Sequence, residues 1–264
     1  MSDTSYVFDN AHGETCERFP ALSDLYDSDT IRCLQDIGVA QGWQCLEVAA
    51  GGGSIARWLA GQVGTSGRVL ATDLDTRFLE SLADPAIEVR QHDIVRDPSP
   101  DPAFDLVHAR LILVHLPERE LALANMASAL KPGGWLVCEE FDSLSLPADP
   151  TLHPAECALK AQAATQRVMA ARGANTRYGR DLAARLRAHS LVDIRADARM
   201  AMWQGGSAGA RLFRANFQQL REELLRTGLL TQAELDEDLA RLDDPLTLFP
   251  SPLMWTVCGR RAAT

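Results

Sequence analysis

Cys45-Leu46-Glu47-Val48-Ala49-Ala50-Gly51-Gly52-Gly53-Ser54-Ile55-Ala56 passes from an apolar, β-compatible run through a glycine turn into a helical pattern. It reads as strand, tight loop, helix. Glycine lets the backbone take positive φ and approach a ligand closely, and the helix that begins near Ser54 presents unpaired N–H groups at the positive end of its dipole. Downstream, Arg68-Val69-Leu70-Ala71-Thr72-Asp73 is a second apolar strand ending in a carboxylate. That carboxylate lies about 20 residues past the glycine loop, where a Rossmann-type site holds ribose hydroxyls. The pairing predicts a nucleoside-containing ligand.

Outward from this unit the pattern repeats. Strands are predicted over 44–49, 68–73, 87–91, 104–109 and 135–141, with helices over 54–62, 76–82 and 118–130; in the last, Leu123, Met126, Ala127 and Leu130 recur at helical spacing. Strands and helices alternating at this pitch give an α/β fold: a doubly wound, Rossmann-like, mostly parallel seven-stranded sheet. Ahead of it, 14–39 suits two short helices broken near Asp27-Ser28-Asp29. After Phe141 come a loop (142–150), helices over 155–171 and 179–189, a strand within 192–203, helices over 208–227 and 232–242, and a closing strand over 253–260. The expectation is one domain across 1–264, with an N-terminal helical cap (1–40), a cofactor-binding core (41–142) and a helical substrate lid (143–176 and 205–250). Both lid segments would project from the carboxyl ends of the strands, where ligands bind in such folds.

A formal net charge of −10 disfavours a nucleic-acid partner, because a phosphate backbone would be repelled. The densest arginine set, Arg177, Arg180, Arg185 and Arg187, reads as a solvated helix face. Six cysteines share no C-x-x-C spacing, which suits a reducing compartment and gives no metal site. No apolar stretch is long enough to span a bilayer and no signal-peptide pattern opens the chain, so a cytoplasmic protein without a membrane partner, monomeric or homodimeric, is expected.

The motifs in order carry a resemblance. Acidic Glu47 lies inside the first strand; Gln91-His92-Asp93-Ile94 follows the third; Phe104-Asp105-Leu106-Val107-His108-Ala109-Arg110 runs on to Leu113-Val114-His115-Leu116-Pro117-Glu118; and Leu130-Lys131-Pro132-Gly133-Gly134 precedes the fifth strand. This set resembles the class I S-adenosyl-L-methionine-dependent methyltransferases. It looks most like the small-molecule branch typified by ubiquinone/menaquinone biosynthesis enzymes and enzymes of bacterial secondary metabolism.

The resemblance implies that the family's acidic residue and G-x-G-x-G motif fall on Glu47, Ala49, Gly51 and Gly53. Ala49 stands where the family usually has its first glycine, adding a methyl group that a negative φ would tolerate. Glu47 would face the methionine amine, Asp73 would take both ribose hydroxyls, and Leu74 would cover one face of the adenine. Asp93 would accept from the adenine amine, with the Ile94 N–H at the ring and His92 alongside. Ala109 and Arg110 end the fourth strand near the methionine ammonium. His115 is the candidate general base. The acceptor pocket is expected from Tyr6, Phe8 and Phe19, from Phe141 and His153, and from Trp203, Phe213 and Phe217.

The sulfonium methyl is already activated, so the protein needs chiefly to align an O, N or C nucleophile of a small molecule and exclude water. Two other readings stand. Gly51-Gly52-Gly53-Ser54-Ile55-Ala56 also satisfies the dinucleotide pattern of an NAD-dependent oxidoreductase, although Tyr178 has no lysine at the Tyr-x-x-x-Lys offset. An S-adenosylmethionine-binding cyclase or isomerase, or a non-catalytic binding protein, would keep the fold without methyl transfer.

Overall fold

In β1 (Gln44–Val48), four consecutive residues are buried rather than alternating with exposed ones. That is the signature of a strand covered on both faces, as in a parallel sheet between helical layers. The computed structural model describes residues 15–98, 104–143 and 159–263. In chain order its elements are α1 (Thr15–Asp36), β1, α2 (Ser54–Val63), β2 (Arg68–Asp73), β3 (Ile87–Gln91), β4 (Phe104–Arg110), α3 (Arg119–Ser128), β5 (Leu130–Asp142) and α4 (Lys160–Ala171). Then follow α5 (Leu182–Ala188), β6 (Leu191–Arg199), β7 (Met202–Gln204), α6 (Ala208–Gln219), α7 (Arg221–Arg226), α8 (Gln232–Asp243), β8 (Leu248–Pro250) and β9 (Leu253–Arg261).

Seven strands form one sheet in the order β3-β2-β1-β4-β5-β9-β6. β1 to β5 pair in parallel, and β9 runs antiparallel to both β5 and β6. The order reverses between β1 and β4, and the crevice beyond their carboxyl ends is where such sheets bind ligands. Leu46, Val48, Val107 and Leu136 face a core shared with α3 and α5. Cys45, Leu106 and Val137 face the opposite core, with Leu34 of α1 and Ile55 and Leu59 of α2. A third core joins α1, α4, α6 and α8 above the sheet ends through Tyr26, Val168, Phe213, Phe217 and Leu239.

Several local expectations are corrected. Residues 14–39 do not form two helices: α1 is continuous through Asp27-Ser28-Asp29. Those acids are held by arginine side chains, Asp27 by Arg110 of β4 and Asp29 by Arg199 of β6 and by Arg32 one turn along the same helix, so they leave the helix backbone intact instead of capping a break. The helix predicted over 76–82 shrinks to a 3-10 turn, Thr76–Phe78. There Asp75 and Asp84 accept from the backbone N–H groups of Arg77 and Ala86, and Pro85 disfavours a helix through the residue before it. β5 begins at Leu130 rather than Trp135, with a register shift against β4 between Phe104 and Leu106. The single helix expected over 208–227 divides at Leu220 into α6 and α7. The strand sought within 192–203 is β6, while Trp203 belongs to β7, which pairs with β8. Among the described residues, no helix is long and apolar enough to cross a membrane.

Candidate active site

A cavity of about 560 Å3 opens at the sheet's switch point, a size typical of small-molecule sites. Its floor is made by residues at the strand ends: Glu47 to Ala49 at the end of β1, Asp73 and Leu74 at the end of β2, His92 to Ile94 after β3, and Arg110 and Leu111 at the end of β4. The polypeptide leaves β1 and β4 in the same unusual way. Ala49 has φ 55 and Leu111 has φ 58, a left-handed conformation that costs a residue with a Cβ roughly 1–2 kcal/mol. The negative φ that would have excused Ala49 is therefore not present.

The glycine loop has little room to spare. A Cβ on Gly51, at φ 54, would stand 2.9 Å from the Phe19 ring, and one on Gly52 would stand 3.1 Å from the Phe19 Cβ. Phe19, on α1, thus lies against the loop and lines the cavity beside it. Gly53 sits behind the cavity wall, where a Cβ would meet Leu82 at 2.6 Å; it occupies the position before α2 with φ 74.

Asp73 ends β2 and lines the cavity. Its Oδ2 accepts from the Gly51 N–H at 2.9 Å, and its Oδ1 accepts from the Asp75 N–H at 3.1 Å. One carboxylate therefore fixes the glycine loop against β2, and each oxygen keeps lone-pair capacity for a further donor. Burial raises its pKa, opposed by the N–H groups of Asp75, Gly51 and Leu74. Leu74 is 54% exposed, an apolar side chain presented to the cavity.

Asp93 is used locally. It accepts from the N–H groups of Val95 and Arg96 and pairs with the Arg96 guanidinium. His92 shares the cavity wall with it; its Nε2 is 3.1 Å from the Pro98 carbonyl oxygen, while Nδ1 is buried with no partner among the described residues. Arg110 lines the cavity but reaches back to α1, donating to Asp27 at 2.8 Å and to the Thr30 hydroxyl at 3.0 Å. Ala109 is buried in the sheet and does not line the cavity.

Below the floor lies a buried charged chain that the sequence did not reveal. Glu47 and His108 are register partners on β1 and β4. His108 Nδ1 is 2.7 Å from Glu47 Oε2, and its Nε2 is 3.4 Å from Glu139 Oε2. Glu139 also accepts from the hydroxyls of Thr30 and Thr256. Burial alone would lower the pKa of His108, but the two carboxylates outweigh it and raise it to about 9. The ring is therefore an imidazolium, and the pKa of Glu139 is lowered, its burial outweighed by His108.

His115 also lines the cavity, buried. Burial and the neighbouring Arg18 guanidinium push its pKa down to about 3, so it is neutral. The loop that carries it is held by Glu140, whose carboxylate accepts from the N–H groups of Ile112, Leu113 and Val114 at 3.0, 2.6 and 3.1 Å. Burial still pushes Glu140 up to about 8 against those three bonds.

Of the expected acceptor residues, Phe19, Phe141 and Phe213 line the cavity. Trp203 and Phe217 do not: Trp203 packs edge-on to Phe213 and Phe249, and Phe217 stacks on Phe213 in the helical core. Large aromatic rings at helical spacing here fill a core. Tyr6, Phe8 and His153 lie outside the described residues. The cavity wall also contains polar residues that no motif marked: Arg18 and Ser23 on α1, Gln162, Thr165 and Gln166 on α4, and Asn216 on α6. Tyr178, the residue a dehydrogenase reading would need, is buried with its hydroxyl on Glu120.

Residues 46–138 match the family model of a methyltransferase domain. The sheet order and the cavity at its switch point are those of a Rossmann-like methyltransferase fold. The chain is similar to the ubiquinone/menaquinone biosynthesis C-methyltransferase UbiE of Laribacter hongkongensis, 33% identical over 145 residues, covering 51% of this chain and 59% of that relative. Among solved structures, phosphoethanolamine N-methyltransferase 2 of Haemonchus contortus, in complex with S-adenosyl-L-methionine, superposes with a TM-score of 0.59 at 14% identity, covering 95% of this chain and 57% of that one. A SAM-dependent methyltransferase from Aquifex aeolicus gives a TM-score of 0.51 at 19% identity over 74% of this chain and 92% of its own. These two likenesses concern the fold.

The residues present fit S-adenosylmethionine. The glycine loop admits no Cβ against Phe19, Asp73 offers a carboxylate with remaining acceptor capacity, Leu74 offers an exposed apolar face, and Glu47 offers a carboxylate held by a buried cation.

Proposed function

We propose that this protein transfers the methyl group of S-adenosylmethionine to an O, N or C nucleophile of a small molecule, as in bacterial secondary metabolism, and that residues 1–264 work as one domain with a cap (1–40), a core (41–142) and a lid (143–176 and 205–250). The observation that carries this is the continuity of the cavity. One space touches both the strand-end carboxylates Glu47 and Asp73 and the helical wall of Thr165, Phe213 and Asn216. Cofactor and acceptor can therefore meet without solvent between them.

When bound, the cofactor supplies a sulfonium methyl already activated toward a nucleophile. Asp73 accepts the ribose hydroxyls in charge-assisted hydrogen bonds while holding Gly51 in place. Glu47 faces the methionine ammonium, its carboxylate oriented by the His108 imidazolium. Leu74 and Ile94 flank the adenine, with His92 and Asp93 at its edge. Phe141, Phe213 and the α4 side chains hold the acceptor and keep water out. His115, neutral across the physiological range, accepts a hydrogen bond from the acceptor in this reading. A nitrogen held that low orients a proton better than it removes one.

Thermal-shift titration of the purified protein tests the cofactor part. S-adenosylmethionine and S-adenosylhomocysteine should raise Tm and NAD should not. Mass spectrometry of acceptor products separates methyl transfer from a cyclase or binding protein on the same fold: a product that has gained one methyl group supports the reading, and an isomerised product contradicts it.

A further inference from the structure

A second cavity, of about 70 Å3, lies where α1 meets β6 and β9, and none of the residues around it lines the larger one. Cys33 of α1 and Cys258 of β9 both line it. Their placing follows from Glu139 of β5, whose carboxylate accepts from the hydroxyls of Thr30 on α1 and Thr256 on β9. The helix and the strand are thereby tied at one point. Cys33 lies one helical turn beyond Thr30, and Cys258 lies two residues beyond Thr256, on the same face of the strand. One step away from a shared anchor therefore brings both sulfurs to one cavity. Cys45 and Cys138, buried in cores on opposite faces of the sheet, do not line it.

The two thiols differ in reactivity. A hydrogen bond from Cys33 lowers the pKa of Cys258 against its burial, and Arg195 lowers it further. The same hydrogen bond, with burial, raises that of Cys33. The thiolate is the reactive form, so Cys258 is the nucleophile of the pair. Cys258 is only 3% exposed, which makes the cavity the route to its sulfur. A site that holds one water needs roughly 10–15 Å3, so this one has room for a molecule the size of hydrogen peroxide.

We propose that Cys33 and Cys258 are an oxidation site for hydrogen peroxide, closing a reversible disulfide that staples α1 to the sheet. The Cys258 thiolate attacks one peroxide oxygen and the O–O bond breaks; the departing hydroxide takes up the proton that Cys258 had released and leaves as water. Cys258 is then a sulfenic acid. The Cys33 sulfur attacks the Cys258 sulfur, the S–O bond breaks, and the hydroxyl leaves as a second water with the Cys33 proton as the S–S bond forms. Two thiols give up two electrons and two protons, and one peroxide becomes two waters. Because α1 also carries Phe19 against the glycine loop, a bond that fixes α1 on the sheet fixes that wall of the larger cavity as well. The proposal does not depend on the methyl-transfer reading.

The test uses the full chain, reduced, freed of reductant and treated with a stoichiometric portion of hydrogen peroxide. Denaturing mass spectrometry without reductant should show the monomer lighter by two hydrogens, a linked Cys33–Cys258 peptide after digestion, and recovery of both thiols with dithiothreitol. Tm of the linked protein should rise by about 5 °C or more, since the bridge closes most of the chain into one loop. Cys33→Ser should lose the link and hold Cys258 as a sulfenic acid that dimedone traps. Cys258→Ser should lose the link and give at least tenfold less dimedone adduct at Cys33. If Cys258→Ser does not fold, the adduct at Cys258 in Cys33→Ser carries the same expectation. Oxidation of both sulfurs without a link, or a link joining other cysteines, overturns the proposal. So does a Cys33→Ser protein that gives no adduct at Cys258. A linked protein whose Tm does not rise overturns the staple.

Discussion

His108 stands directly across the β1–β4 ladder from Glu47, its Nδ1 2.7 Å from the Glu47 carboxylate and its far nitrogen 3.4 Å from Glu139. A cation between two carboxylates, all three buried, joins the cofactor floor to α1, because Glu139 also accepts from Thr30 and Thr30 from Arg110. Removing the cation leaves two buried anions facing one another. His108→Gln should therefore lower stability by about 3–5 kcal/mol, read as a shift of the urea midpoint at pH 7. A change under 1 kcal/mol would contradict the charge pairing between His108 and the two carboxylates.

The same ring sets a pH dependence. Its folded pKa, about 9, lies above the unfolded value of about 6.5. Its stabilisation is thus fully present below pH 6.5 and is lost as pH rises through 9, with a total on the order of 3 kcal/mol. Denaturation curves between pH 6 and 10 should show this loss in the wild-type protein and a flatter profile in His108→Gln. Equal slopes in the two proteins would contradict the assignment.

Ala49, at φ 55, holds a conformation that glycine adopts without steric cost. Ala49→Gly should stabilise the fold by about 0.5–1 kcal/mol, the steric relief being partly offset by the greater freedom of glycine in the unfolded chain. Affinity for S-adenosylhomocysteine should be equal or better. A loss greater than tenfold would show that the Ala49 methyl makes a contact the ligand needs.

Glu140 gathers the N–H groups of Ile112, Leu113 and Val114 and so fixes the loop ahead of His115. At pH 9, where the Glu140 carboxyl is ionised, Glu140→Gln turns one acceptor oxygen into a donor facing a backbone donor, at a cost of roughly 1–3 kcal/mol. Hydrogen exchange at 112–115 should quicken while β1 and β5 stay protected. Exchange unchanged in this loop would show that its order comes from elsewhere.

Phe217, fully buried and stacked on Phe213, serves the helical core. Phe217→Ala should destabilise the protein by about 3–5 kcal/mol, while the folded fraction binds S-adenosylhomocysteine as the wild type does. Weakened cofactor binding without loss of stability would restore Phe217 to the site.

The strand ends were readable because the information is local. A glycine turn after an apolar run, and Asp73 closing the next strand, announce β1, β2 and a carboxylate at the cavity within a single stretch of chain. The acceptor wall was not readable in the same way. Thr165 and Asn216 are ordinary residues on amphipathic helices, and only the packing of α4 beside α6 shows that their polar atoms are buried without partners. Trp203 misled for a related reason. Its place is set by pairing with Phe249, far along the chain, and an aromatic ring in a helical appendage looks the same whether it fills a core or lines a pocket. The continuity of α1 through two aspartates depends on Arg110 and Arg199, which reach it from distant strands.

The cofactor assignment rests most directly on Asp73, and calorimetry with S-adenosylhomocysteine and NAD on wild-type protein and on Asp73→Asn and Asp73→Ala tests it. The account predicts that S-adenosylhomocysteine binds the wild type one to one, that NAD binds at least a hundredfold more weakly, and that both variants fold but lose tenfold or more of their S-adenosylhomocysteine affinity, from charge-assisted bonds worth about 1.5–3 kcal/mol. Unchanged affinity in the folded variants, or NAD binding that equals S-adenosylhomocysteine binding, would contradict it.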